Sequence, residues 1–191
     1  MMGKRRIGVV ITVLLTAFIA GCGGGQKADM NIFMMHEFHI PSEQVDKLEQ
    51  ELNEKLNGEY TIDVMASPLY NAQKIVLEYV GAENAIIILP YDDIQAYSTN
   101  GGHYPLDDFF DKSQYEEGIL EGTYIEKIEA EDKKTEYLDH VGEYLFALPT
   151  TKLPLLEKYG LVEEKWYAAI PSNNPDLDRS VQLMKMLASQ P

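Results

Sequence analysis

Cysteine is nearly absent. The 191-residue chain has one, Cys22, which excludes an internal disulfide and any multi-cysteine metal site. Positive charge is also scarce, with 16 Lys and Arg against 31 Asp and Glu and a formal net charge of −15. That balance argues against a nucleic-acid partner, since phosphate binding needs the opposite sign. It leaves solubility through self-repulsion, or a cationic ligand. The sequence holds no Gly-x-Ser-x-Gly, phosphate loop or His-Glu-x-x-His, and no internal repeat. Its one long apolar run, Ile7 to Ala20, falls short of the ~20 residues that span a bilayer.

What the chain does have is an apolar content of 45%, enough to bury a substantial core. It also has an address. Lys4-Arg5-Arg6 precede the apolar run and Ala20-Gly21-Cys22 follow it, the basic, apolar and small-residue succession of a secretory signal. Ile19-Ala20-Gly21-Cys22 resembles the bacterial lipobox, whose cysteine is acylated on sulfur and becomes the first residue of the mature chain. The resemblance implies that residues 1–21 are a lipoprotein signal peptide and that Cys22 carries lipid. Residues 22–28, with Gly23-Gly24-Gly25, then form a flexible tether. Several acyl chains would hold residues 29–191 stably on the extracytoplasmic face of a cell membrane. Losing Lys4, Arg5 and Arg6 makes the mature chain more acidic still.

The folded part is organised around Ala85-Ile86-Ile87-Ile88-Leu89, closed by Pro90. Five consecutive apolar residues read as a strand buried on both faces, which requires helices above and below. Before it come a strand in residues 29–37, a helix from Ser42 striped by Val45, Leu48, Leu52 and Leu56, and a strand over 60–66. A helix marked by Ala72, Ile75, Val76, Tyr79 and Val80 follows. Ser42 is placed to cap the first helix and Gly58 to stop it. This order predicts an α/β domain with a mostly parallel sheet and helices on both faces. Further on, residues 113–127 read as a helix weakened by Gly118 and Gly122, and residues 126–143 as a solvated helix or loop. Residues 144–149 read as a strand, Pro154 to Leu161 as a short helix, and residues 166–171 as a strand. A last helix is expected to be capped by Asn174, with Leu177, Val181, Met184 and Leu187 as its core stripe.

The order resembles the first lobe of bacterial extracellular solute-binding proteins, the lipid-anchored receptors of ABC importers. The residues that carry the likeness are Asp63-Val64, the phrase from Gly101 to Asp108 with Pro105-Leu106-Asp107-Asp108, the strand ending Ala147-Leu148-Pro149, and Ala169-Ile170-Pro171 leading to Asn174-Pro175. It implies the first lobe of a periplasmic-binding-protein-like type II fold, a small solute or peptide as ligand, and a permease as partner. Only four residues separate Leu161 from Trp166, where such receptors hold a second lobe. A lone lobe offers half a cleft.

Ligand-facing residues in open α/β sheets lie just after strands. Those positions hold His36, Glu37 and His39, then Ser67 and Tyr70, then Tyr91, Asp92 and Asp93. Tyrosine rings stack on sugar or peptide faces, and carboxylates accept hydroxyl or ammonium hydrogens. His36, Glu37 and His39, with His103 or His140, are also suitable zinc donors. Paired carboxylates at Asp92-Asp93 and Asp107-Asp108 fit calcium or acid/base chemistry, but neither lies in a calcium-loop pattern. With Cys22 acylated, no thiol nucleophile remains. The sequence therefore favours a non-catalytic binding lipoprotein without cofactor. Its rivals are a degenerate lobe that binds a protein partner and a metal-delivery lipoprotein.

Overall fold

The computed structural model describes residues 27–81, 83–129 and 135–189. The expectations for the signal peptide, Cys22 and most of the tether lie outside them. Seven strands and five helices follow in chain order: β1 (Met30–Met34), α1 (Ser42–Leu56), β2 (Ile62–Ala66), α2 (Ala72–Val80), β3 (Asn84–Pro90), α3 (Tyr91–Thr99), β4 (Ile119–Glu129), β5 (Thr135–Leu145), β6 (Ala147–Pro149), α4 (Pro154–Lys158), β7 (Trp166–Ala169) and α5 (Leu177–Ala188).

β3 is the buried centre that its composition demands, with Ala85 to Leu89 fully inaccessible. Ile86 and Ile88 join Leu48 and Leu52 of α1, Leu155 of α4 and Leu183 of α5 on one side of the sheet. Ile87 and Leu89 join Phe33, Ile75 of α2, Ile94 of α3 and Phe146 on the other. Alternate residues of one strand thus feed two cores, because successive side chains point to opposite faces.

The mostly parallel sheet is corrected. The five-stranded sheet has the order β2-β1-β3-β7-β6 and is mixed: β1 pairs parallel with β2 and β3, while β7 pairs antiparallel with both β3 and β6. A separate antiparallel pair, β4-β5, completes the strands. The parallel pairs follow crossovers through α1 and α2, whereas residues 150–165 between β6 and β7 hold only a 3-10 turn and α4, which at five residues rises about 7.5 Å. The chain instead turns near the end of β6 and re-enters as β7 in the opposite sense, with Pro149 opposite Tyr167.

Residues 113–127 are not a helix, and the described part of 126–143, residues 126–129 and 135–143, is strand. Two short 3-10 turns, Lys112–Gln114 and Glu116–Gly118, lead into β4, which runs antiparallel to β5 from Ile119↔Leu145 to Glu129↔Thr135. Thr123, Tyr124 and Ile125 favour a pleated surface over a helix. Gly118 is required there, because a Cβ at that position would sit 1.7 Å from the Ala147 carbonyl oxygen. The strand expected over 144–149 is divided between β5 and β6 at Phe146.

Three helix ends also differ. Ser42 is the first residue of α1 and makes no capping bond, and Asn57 in the left-handed region ends that helix. α5 is capped by Asp176, whose carboxylate accepts from Arg179 N, while Asn174 donates to Pro171 O in the preceding turn. On α2, Val76 and Val80 are solvent-exposed instead of core, leaving Ile75 as the buried member of the expected stripe.

Candidate functional site

Because β1, β2 and β3 run the same way, their carboxyl ends meet at one edge of the sheet. β7 runs against them, so its amino end, preceded by Glu164 and Lys165, arrives at the same edge. Tyr91 N donates to Lys165 O at 2.7 Å, and Lys165 holds φ +59° to make the turn.

A shallow cleft of ≈ 170 Å³ opens there, lined by His36, Glu37, Tyr91, Asp92, Glu164 and Lys165. A smaller hollow of ≈ 40 Å³ lies on the other flank of His36, between Phe38, His39 and Trp166. His36 forms the wall between them. Its ring stacks on Phe38 at 5.0 Å and meets Trp166 edge-on at 5.4 Å, and its Nδ1 accepts Phe38 N at 3.1 Å. That bond leaves the proton of a neutral ring on Nε2. Trp166 is fixed in turn by donating Nε1–H to Met35 O at 3.0 Å.

Tyr70 comes from the turn after β2 and donates its hydroxyl to Asp93 Oδ1 at 3.0 Å, joining the β2 and β3 ends. Burial raises the Asp93 carboxyl above its ordinary range, Asp92 and Glu37 push it further, and the Tyr70 bond opposes them. Burial raises the Tyr70 phenol, and Asp93 and Glu37 add to the rise. Glu37, Tyr70, Asp92 and Asp93 therefore share one electrostatic neighbourhood of negative sign. Asp92 and Asp93 also occupy the first turn of α3, where carboxylates suit the helix dipole. The Tyr91 ring packs at 5.4 Å from Tyr167.

Ser67 does not join this group. It is buried, and its hydroxyl donates to Leu69 O at 2.9 Å within the turn. The zinc set does not assemble either. His103 is wholly buried elsewhere, with Nδ1 2.8 Å from Ser98 Oγ and Nε2 2.5 Å from Tyr79 OH. His140 pairs with Glu126 on the β4-β5 hairpin at 2.9 Å. Among the described residues no three His, Cys, Asp or Glu side chains are grouped to hold a metal ion. Asp107 is engaged by Leu145 N at 3.0 Å and by Lys112.

A larger hollow of ≈ 630 Å³ lies along the free edge of β2. Its polar groups close that edge. Asn53 of α1 both accepts Ile62 N and donates to Ile62 O, and Glu49 accepts Val64 N. Side chains that occupy edge N–H and C=O groups prevent another strand from adding there, which is a structural duty.

Sequence reasoning missed the contribution of Glu164 and Lys165 to the strand-end cleft and of Trp166 to the hollow beside it. Nothing in their local pattern tells that β7 runs antiparallel. The proline-bounded run Trp166-Tyr167-Ala168-Ala169-Ile170-Pro171 was the available signal for a strand, without its direction. Comparison with known proteins adds no family: no protein-family model, no curated protein and no solved structure matches this chain.

Proposed function

We propose that the chain is a lipid-anchored extracytoplasmic binding protein that holds a cationic small solute or peptide, without chemistry, at the carboxyl ends of β1, β2 and β3. One observation carries the reading. Glu37, Asp92 and Glu164 line the cleft with Tyr91 and a single cation, Lys165, and the bonded pair Tyr70–Asp93 adds its negative field from beside it. Carboxylates accept ammonium or guanidinium hydrogens, and aromatic faces attract the same cations. The lipobox-like Ile19-Ala20-Gly21-Cys22 supports the location. The likeness to solute-binding receptors supports a permease as the next recipient. The cleft is shallow, so a small ligand alone is bound weakly, at roughly millimolar Kd or about −4 kcal/mol. Shallowness also favours a second reading, a protein partner that covers the same edge and presents its cation there.

Two experiments test the proposal. Cells expressing the full chain or its Cys22→Ser variant are fed an alkynyl fatty acid. Label on the first and not the second is expected, and equal labelling contradicts the anchor. Thermal unfolding of the purified chain is then followed against polyamines, basic dipeptides, neutral sugars and zinc. Stabilisation by the cationic organic solutes alone is the expected outcome. Stabilisation by zinc or neutral sugars instead contradicts the ligand class.

A further inference from the structure

α2 has a second apolar stripe, turned away from the core. Val76, Leu77 and Val80 are 48%, 66% and 79% exposed, and Leu69 in the preceding turn is 75% exposed. At helical spacing these three share a face with Gln73, so no charged residue interrupts the stripe. Lys74 and Glu78 pair with each other along a different flank, where Glu78 also accepts from Asn84. Clustered apolar exposure of this kind marks a surface that meets something other than water.

The path of the chain says what that is. β1 enters the sheet beside the end of α2: Asn31 pairs with Asn84, and Lys27 Nζ lies 3.7 Å from Glu83 Oε2, just past the helix. Four residues separate Lys27 from Cys22, and the five Cα-to-Cα steps cover at most about 18 Å when extended. An acylated Cys22 thus holds the Val80 end of the stripe within a short reach of the bilayer.

We propose that the outer face of α2 rests on the lipid bilayer, with Leu69, Val76, Leu77 and Val80 entering the boundary between headgroups and acyl chains. The inference rests on the anchoring reading above. A stripe this small would not recruit a free protein to a membrane. The anchor supplies the high local concentration at which weak apolar burial decides orientation. The acidic remainder of the chain avoids anionic headgroups and reinforces the same pose. One end of the stripe is Leu69, next to Tyr70, so this pose sets the candidate binding edge at the membrane surface, where a permease would receive a ligand.

The test uses the full lipidated chain reconstituted into phosphatidylcholine vesicles that contain nitroxide-labelled phosphatidylcholine. Leu77→Cys, Val80→Cys and, on exposed α1, Glu54→Cys each receive an environment-sensitive thiol dye, while acylated Cys22 does not react. The expected result is blue-shifted emission, quenched several-fold more at positions 77 and 80 than at position 54. Protein left behind when the vesicles float contradicts the anchor, and the docking with it. Protein that floats but is quenched equally at all three positions contradicts the docking alone. Dye self-quenching at position 77 that rises with protein density, without nitroxide quenching, assigns the face to a second copy and overturns the proposal.

Discussion

His103 makes the stability of this fold depend on pH in a way that can be worked out in advance. The ring is fully buried between Ser98 Oγ, 2.8 Å from Nδ1, and Tyr79 OH, 2.5 Å from Nε2. Burial lowers its pKa from 6.5 to about 3. The Tyr79 phenol cannot offset this, since burial moves it well above its ordinary range and keeps it neutral. The unfolded chain takes up a proton near pH 6.5, whereas the folded chain refuses it until about pH 3. Stability from this group is therefore complete above pH 6.5 and falls as the pH drops, by about 1.4 kcal/mol per unit. Between pH 6.5 and 4.5 the loss is roughly 2 to 3 kcal/mol, a large part of the ~5–15 kcal/mol that holds a domain. Carboxylates titrate in the same range, so the wild type must be compared with His103→Gln by urea unfolding, followed through Trp166, the only tryptophan. The variant loses about 1 to 3 kcal/mol at pH 7.5 from broken hydrogen bonds. The difference then shifts in the variant's favour by roughly 2 to 3 kcal/mol by pH 4.5, closing the gap or reversing it. Two curves that stay parallel from pH 7.5 to 4.5 would refute the argument.

Three further outcomes follow from the packing. Gly118→Ala drives a methyl group into the Ala147 carbonyl oxygen and is expected to cost about 2 to 4 kcal/mol, read as a lower urea midpoint. Glu51 of α1 has its pKa lowered from 4.5 to about 2 by Lys158, with Tyr159 next, so its contribution is present above pH 4.5 and is lost as pH falls toward 2. Water screens this site, and Glu51→Gln should cost about 1 kcal/mol at pH 7 by urea melts and nothing at pH 2. Asn53→Ala removes both bonds to Ile62 and frees the β2 edge, so it should lower the melting temperature and add concentration-dependent association in light scattering.

Much of the chain through β3 was legible from its pattern. The stripe Val45, Leu48, Leu52 and Leu56 is buried as its spacing requires, and so is the run from Ala85 to Leu89. Pairing direction was not legible. Trp166 to Ala169 is buried on both faces like any central strand, and nothing local distinguishes a parallel from an antiparallel neighbour. The hairpin was misread because Tyr115, Ile119 and Leu120 imitate helical spacing, while β5, the partner of β4, is polar and largely exposed. The parallel run of β1, β2 and β3 brings Glu37, Tyr70, Tyr91, Asp92 and Asp93 to one edge of the sheet, as strand-end position alone implies. The rule fails at Ser67, whose hydroxyl closes its own turn.

The most direct test of the central claim is a titration of the purified chain with a basic peptide series, watched through Trp166, which contacts the His36 ring at the edge of the cleft. Asp92→Asn and Tyr91→Ala serve as the site variants, and Glu54→Gln on α1 as the distant control. Weak saturable binding is expected, near millimolar, that loses roughly tenfold or more in each site variant and is unchanged in the control. Equal binding by the wild type and all three variants would place the ligand elsewhere and contradict the claim that the strand ends form the binding site.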